Sequence, residues 1–175
     1  MERDYVEIAG IKWATMNVGA EKETDFGLYF QYGTEQGYPC PTNLCKFDKT
    51  PTEFCDSVQA NWGGNWIMPT KEEFYALYHN TTTEWVENYQ GSGVNGRLFT
   101  DRNDSSKTLF FPACGFCMYS SVYNVGNVGY YWSSSIDYYG LNYDVFCLLF
   151  SNASIDLCIN YRHCGFVLRG VLTDK

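Results

Sequence analysis

The strongest constraint on the second half of this chain is a missing part of the alphabet. Residues 1–107 contain six Lys, four Gln and ten Glu, yet no Lys, Gln or Glu stands between Thr108 and Asp174. At ordinary composition a segment of that length holds roughly a dozen. Burial alone is a poor explanation, because the same segment carries Asp, Asn, Ser and Arg freely, together with eight Tyr. Polarity is admitted there, but only in certain residue types. Something about how the segment is encoded or used has filtered it.

The 175 residues are enough for one domain, 1–175, with a sizeable core. A formal net charge of -8 argues against a nucleic-acid partner gripped through its phosphates, which needs a basic face. No run approaches the ~18 apolar residues of a membrane span. Met1 is followed by Glu2-Arg3-Asp4 rather than a basic and then apolar run, so no signal peptide is read here. That pattern fits a chain that is cytoplasmic when made, or a piece of something larger. Aromatic residues make up 18%, led by fifteen Tyr. Tyrosine suits a β core, and it also suits a binding surface, where it offers wide contact area at low entropic cost.

Along the chain, Tyr5–Ile8 and residues 11–15 read as extended pieces separated by Gly10. Residues 31–55 are rich in Gly, Pro, Thr and Cys and read as a long surface loop. Asp56–Trp62 is a short helix candidate stopped by Gly63-Gly64. Thr70 followed three residues later by Glu73 has the form of a capping box, with Phe74, Leu77 and Tyr78 on one face of the helix behind it. Beyond Asn80 the pattern is strands and hairpins: 84–89 and 96–101 around a glycine-rich turn, then 108–112, 130–133, 145–150, 155–159 and 166–171. In Phe146–Phe150, even and odd positions point to opposite faces. Of the eight cysteines, Cys114 and Cys117 have CxxC spacing, with no second pair to complete a zinc site. Cys40, Cys45 and Cys55 form a separate group able to bridge.

A set of ordered motifs carries a resemblance. They are residues 12–20 (KWATMNVGA), 27–33 (GLYFQYG), 60–70 (ANWGGNWIMPT), 110–113 (FFPA), 129–135 (GYYWSSS), Arg162, and 165–169 (GFVLR). Together they resemble the C-type-lectin-fold domains of gut Bacteroidetes and their phages, a "major" paralogous domain type related to the formylglycine-generating-enzyme branch. The resemblance covers nearly the whole chain. It implies an α+β, C-type lectin fold of mostly antiparallel strands and hairpins with one or two helices. Some members are variable proteins of diversity-generating retroelements, in which template adenines are randomised on copying. An AAY codon then becomes NNY, which never encodes Lys, Gln, Glu, Met or Trp. That matches the filtered alphabet and makes Met118 and Trp132 fixed framework positions.

On this reading the chain is a non-enzymatic ligand-binding domain without a cofactor or metal, with a variable region of about 114–167. Its partner would be a protein or glycan receptor on a cell surface, and its carrier a phage tail or a bacterial surface. The inner set is Leu148, Phe150, Phe166 and Leu168. The exposed, ligand-binding set is Tyr138, Tyr139, Asn142, Tyr143, Asp144, Phe146, Cys147, Asp156, Cys158, Asn160, Tyr161, His163 and Cys164. The main alternative is an undiversified surface or pilus adhesin. A formylglycine-generating cysteine oxidase would use C-terminal cysteines such as Cys158 and Cys164, but its arginine-glycine-glycine-serine segment is missing. Calcium-dependent sugar binding is disfavoured too, because the Glu-Pro-Asn, Gln-Pro-Asp and Trp-Asn-Asp tripeptides do not occur. Ser133 lacks the His and acid of a nucleophilic triad.

Overall fold

A computed structural model describes residues 2–52, 54–140 and 144–174. The chain opens with an antiparallel hairpin, β1 (Tyr5–Ile8) and β2 (Ile11–Ala14). Its turn residues Ala9 and Gly10 both hold positive φ, 53° and 76°. Two such residues give a tight turn the hand of twist its strands need. Two short helices follow, each closed by side chains at its start. In α1 (Ser57–Trp62) the Asp56 carboxylate accepts the Gln59 N–H at 3.0 Å, and Gly63 ends the helix. The same carboxylate also accepts the Met68 N–H, just past β3 (Trp66–Ile67). In α2 (Lys71–His79) Thr70 Oγ1 accepts from Glu73 N, and Glu73 Oε2 accepts from Thr70 N at 2.8 Å. This is the reciprocal box expected from the sequence. Phe74 and Leu77 bury the inner face of α2 against the strands.

The rest is β. Strands β4 (Thr81–Val86), β5 (Gly96–Asp101) and β6 (Thr108–Pro112) form one antiparallel sheet. A hairpin of β7 (Phe116–Met118) and β8 (Ser121–Tyr123) follows. Strands β9 (Val128–Ile136), β10 (Val145–Ser151) and β11 (Ile155–Asn160) form a second three-stranded sheet, ordered β11-β10-β9. Finally β12 (Val171–Leu172) inserts between β2 and β3, so both ends of the described chain share one four-stranded sheet.

These elements correct the expected α+β, C-type lectin architecture. Among the described residues the protein is mostly β, 38% strand against 11% helix, in four small antiparallel sheets with two helices. The physical reason lies partly in the filtered segment itself. Lys, Gln and Glu are among the good helix formers, and a segment without them but rich in Tyr, Phe, Val and Ile is biased toward strands. The long loop lies largely at the surface, as expected, while Tyr32 and Phe47 turn in from it and are buried. One local reading does change. Residues 166–171 do not form one strand, because each residue ties to a different element. Phe166 bridges Phe30 and Val167 bridges Tyr131, while the Leu168 and Gly170 carbonyls accept from Val18 and Ala14 N–H, each at 3.0 Å.

The core divides into two clusters. One gathers Trp13, Phe74, Phe99, Phe111, Tyr131, Leu148 and Phe150. The other gathers Phe30, Tyr32, Met68, Trp132, Val145, Cys147, Phe166 and Leu168. The expected inner set, Leu148, Phe150, Phe166 and Leu168, is buried throughout. Arg169 is fully buried with them. Its Nε donates to Asn17 Oδ1 at 2.8 Å, and its terminal nitrogens donate to Ala14 O at 3.1 Å and Phe110 O at 3.0 Å. The guanidinium lies 4.3 Å from the Phe111 ring centroid. Asn17 Nδ2 in turn donates to Phe26 O and to Tyr131 Oη, and Tyr131 Oη donates to Pro112 O at 2.8 Å.

Removing the guanidinium would strand three buried acceptors, each at a cost of about 1–3 kcal/mol. Arg169→Met, which keeps an apolar stem of similar length, is therefore expected to lower unfolding free energy by at least about 3 kcal/mol in denaturant titrations followed by tryptophan fluorescence. A loss under about 1 kcal/mol would mean that the acceptors find other donors.

Candidate functional site

The strand alternation of β9–β11 decides what the filtered segment can display. On one face lie Phe146, Leu148 and Phe150 of β10, beside Tyr131 of β9 and Ile155, Leu157 and Ile159 of β11. This face packs toward α2 and the first core cluster. The other face carries Val145, Cys147 and Leu149, with Tyr130 and Trp132 on one side and Asp156, Cys158 and Asn160 on the other.

Over that second face lies a small cleft of about 190 Å³. Its lining comes from Phe116 and Met118 of β7, Tyr130 of β9, Asn160 at the end of β11, and Tyr161, Cys164 and Phe166 beyond. The aromatic rings brace one another. Phe116 meets Tyr130 edge-on at 5.4 Å, Tyr130 stacks on Phe166 at 4.7 Å, and Phe166 lies 4.1 Å from Trp132. Trp132 is anchored by its indole N–H, which donates to Phe30 O at 2.8 Å. Such contacts fix ring orientation as well as burying area.

The backbone holds the walls at close quarters. Cys117 and Gly165 exchange two N–H···O bonds, each 2.8 Å. A Cβ on Gly165 would fall 2.5 Å from the Phe47 ring and 2.8 Å from Cys117 Cβ, so only glycine allows this approach. Gly115 has φ 61°, and a Cβ there would meet Tyr123 O at 1.9 Å. A disulfide from Cys117 to Cys40 ties the β7–β8 hairpin to the long loop that contributes Phe47 to the core.

The expected binding residues fall into three places. Tyr138 and Tyr139 stand out on the β9–β10 connection, 74% and 100% exposed, and Asp144 at its far end is half-buried. Asn142 and Tyr143 lie outside the described residues. Asn160, Tyr161 and Cys164 meet at the cleft, with Cys158 and exposed Asp156 farther along the same strand face. The His163 ring, half-buried, stacks on Tyr161 at 5.7 Å. Phe146 belongs to the opposite face, where Lys71 Nζ sits 4.2 Å above its ring.

Two of the set are not exposed. Cys147 and Cys164 are buried. Alternation correctly separates the two faces of β10, but it does not reveal that both are covered. Cys147 lies under Cys158 and the second core cluster, and Cys164 packs into the same cluster. Conversely, the cleft-lining Phe116 and Tyr130 and the exposed Tyr119, Tyr123 and Ile159 fall outside the expected set. The filtered alphabet, which contains all of them, is the signal that reaches them.

The CxxC pair is split. Cys117 is bonded to Cys40, while the Cys114 thiol is buried and donates to Pro112 O at 3.3 Å. The serine run after Trp132 is structural. Ser133 Oγ donates to Phe146 O at 2.6 Å, Ser134 N donates to Pro69 O, and Ser135 Oγ accepts from Lys71 N. Among the described residues no helix is long and apolar enough to cross a membrane. No family model, curated protein or solved structure matches this chain.

Burial pushes the Cys114 thiol up to about 12, against weaker opposing hydrogen bonds from Tyr131 and Asn17. Burial also raises the Tyr29 phenol, whose Oη donates to Cys114 O. The folded state thus keeps protons that the unfolded chain releases from about pH 9 upward, so stability falls with rising pH through that window. The expected result is a thermal midpoint that declines as the pH rises above about 9, with Cys114 alkylated only after unfolding. An unchanged midpoint across the window, or fast native-state alkylation of Cys114, would contradict this.

Proposed function

We propose that this chain is a non-enzymatic binding domain whose segment from about residue 114 to 167 is a diversified recognition surface, as in variable proteins of diversity-generating retroelements. One observation carries the reading: alphabet and location coincide. Every residue lining the aromatic cleft comes from the segment that lacks Lys, Gln and Glu. So do the exposed Tyr119, Tyr123, Val125, Tyr138, Tyr139, Ile159 and Tyr161, which outnumber the exposed large hydrophobics of the longer first part, Tyr5, Leu44, Phe54 and Tyr75.

Exposed aromatics are characteristic of interaction surfaces, and tyrosine is prominent among residues that dominate binding energy. The buried frame beneath, with Trp132, Phe166 and Arg169, is tied by backbone and side-chain contacts that do not depend on the exposed residues. The ligand class that suits such a surface is a protein or glycan receptor on a cell, met from a phage tail or a bacterial surface. Binding would be non-covalent.

The deciding experiment is to sequence the gene with its flanks from several isolates. The expected result is a nearby near-copy of the 3′ end that differs only where the copy has adenine, beside a reverse transcriptase gene, with isolates varying at those codons. An invariant gene without such a copy would overturn diversification and leave an ordinary surface adhesin. At the protein level, Tyr138→Ala, Tyr139→Ala and Tyr161→Ala combined should shift stability by no more than about 1.5 kcal/mol, since exposed positions rarely cost more than about 0.5 each. The same triple variant should lose binding to whichever cell-surface protein or glycan array component retains the parent chain. Retained binding would move the contact surface elsewhere.

A further inference from the structure

Cys147 on the central strand β10 and Cys158 on β11 are directly opposed in the antiparallel register. Their Sγ atoms are 2.8 Å apart. That is less than an ångström beyond the about 2.05 Å of a disulfide bond. Cys147 is buried and Cys158 half-buried, so the pair has an inner and an outer member. Among the described residues strand β11 is an edge, paired with β10 alone, and its last residue Asn160 and the following Tyr161 form part of the cleft. Edge strands held by a single ladder are the places where a sheet frays or pairs wrongly.

We propose that Cys147 and Cys158 are a reversible thiol–disulfide site, whose closure staples edge strand β11 to β10 beside the cleft. The site is separate from the Cys40–Cys117 bond and does not depend on what the cleft binds. Cys158 is the attacking member. It is the more accessible of the two, and the hydrogen bond from Cys147 holds its thiol below the ordinary range while Cys147 is held far above it. Only the thiolate attacks, so this asymmetry sets the order of events.

The oxidant is a small-molecule disulfide such as oxidised glutathione. The Cys158 thiolate attacks one of its sulfurs, forming a mixed disulfide and releasing one small thiolate. That thiolate takes the Cys147 proton. Cys147 sulfur then attacks Cys158 sulfur and expels the second small thiol, which recovers the proton Cys158 gave up. Two protein thiols and one small disulfide become one protein disulfide and two small thiols. The competing acceptor is Cys164, which lines the cleft and whose thiol faces Asn160 Oδ1 at 3.7 Å.

The test uses the full chain equilibrated in glutathione buffers from reducing to oxidising, quenched in acid, alkylated and mapped by mass spectrometry without reduction. No Lys or Arg lies between Lys107 and Arg162, so trypsin leaves both cysteines on one fragment. Chymotrypsin, cutting after Phe150, separates them. The expected result is complete, reversible loss of alkylation at Cys147 and Cys158 together, with a linked peptide, while Cys164 stays alkylated. In Cys147→Ser the expected product is a stable glutathione adduct on Cys158. In Cys164→Ala the Cys147–Cys158 link should form unchanged, which keeps the test decisive if Cys147→Ser fails to fold. Persistent alkylation of both thiols under oxidising conditions, a stable adduct on Cys158 in the parent chain, or a link to Cys164 would each overturn the proposal.

Discussion

Arg169 is a full positive charge placed where water does not reach, and the fold is organised around satisfying it. Its hydrogen bonds go to three neutral oxygens, on Ala14, Asn17 and Phe110, and its flat face lies on Phe111. Those partners come from the end of β2, the loop after it, and β6, while Arg169 itself leads into β12. One side chain therefore fixes the relative position of the first sheet, the middle sheet and the end of the described chain. Burial works against the charge and lowers the Arg169 pKa, though the guanidinium remains protonated. Its geometry must then be well made, because a buried charge is tolerated only when hydrogen-bonded. Asn17 extends the network to Tyr131 and Phe26, which locks β9 to the same centre.

That centre frees the periphery. With Tyr131, Trp132, Phe166 and Leu168 fixed from below, exposed residues on the outer turns and Asp156 of the edge strand β11 need not contribute to the core, whereas Ile155 and Leu157 of that strand pack against it. The cleft sits where the two regimes meet: Phe116, Tyr130 and Phe166 brace one another as framework, while Asn160 and Tyr161 enter from the rim. Substitutions are tolerated at such a rim better than in the frame beneath, because interiors are close-packed and respond to the loss of even one methylene. The Cys117–Cys40 bond and the close Cys117–Gly165 contact keep the far wall of the cleft in place.

Much of the local structure was legible in the residues. Asp56 and Gly63 bracket α1, and Thr70 with Glu73 starts α2, because capping is decided within a few residues. The hairpin strands β5, β6, β10 and β11 were readable from apolar runs and turns for the same reason. The strand read at 84–89 shows the limit: β4 runs Thr81–Val86, and Tyr89–Gly91 is a 3₁₀ turn. The inner set on β10 was readable from alternation. Of the expected binding residues, Asn160, Tyr161 and Cys164 line the cleft, and Tyr138 and Tyr139 are exposed. Phe116 and Tyr130 were missed, because nothing local marks them as sharing one cleft.

By itself, then, the sequence determined what is local: where helices start and stop, which strands alternate, and which stretch carries a restricted alphabet. Only the tertiary structure decided that the fold is mostly β in four small sheets, that Cys117 pairs with Cys40 across 77 residues, and that Cys147 and Cys164 are inside. The reason is that alternation assigns a side chain to a face, whereas burial depends on what distant segment covers that face. Tyr130, Phe116 and Tyr161 become one site only because the Gly165 backbone packs against Cys117 and the chain beyond β11 folds back across the sheet.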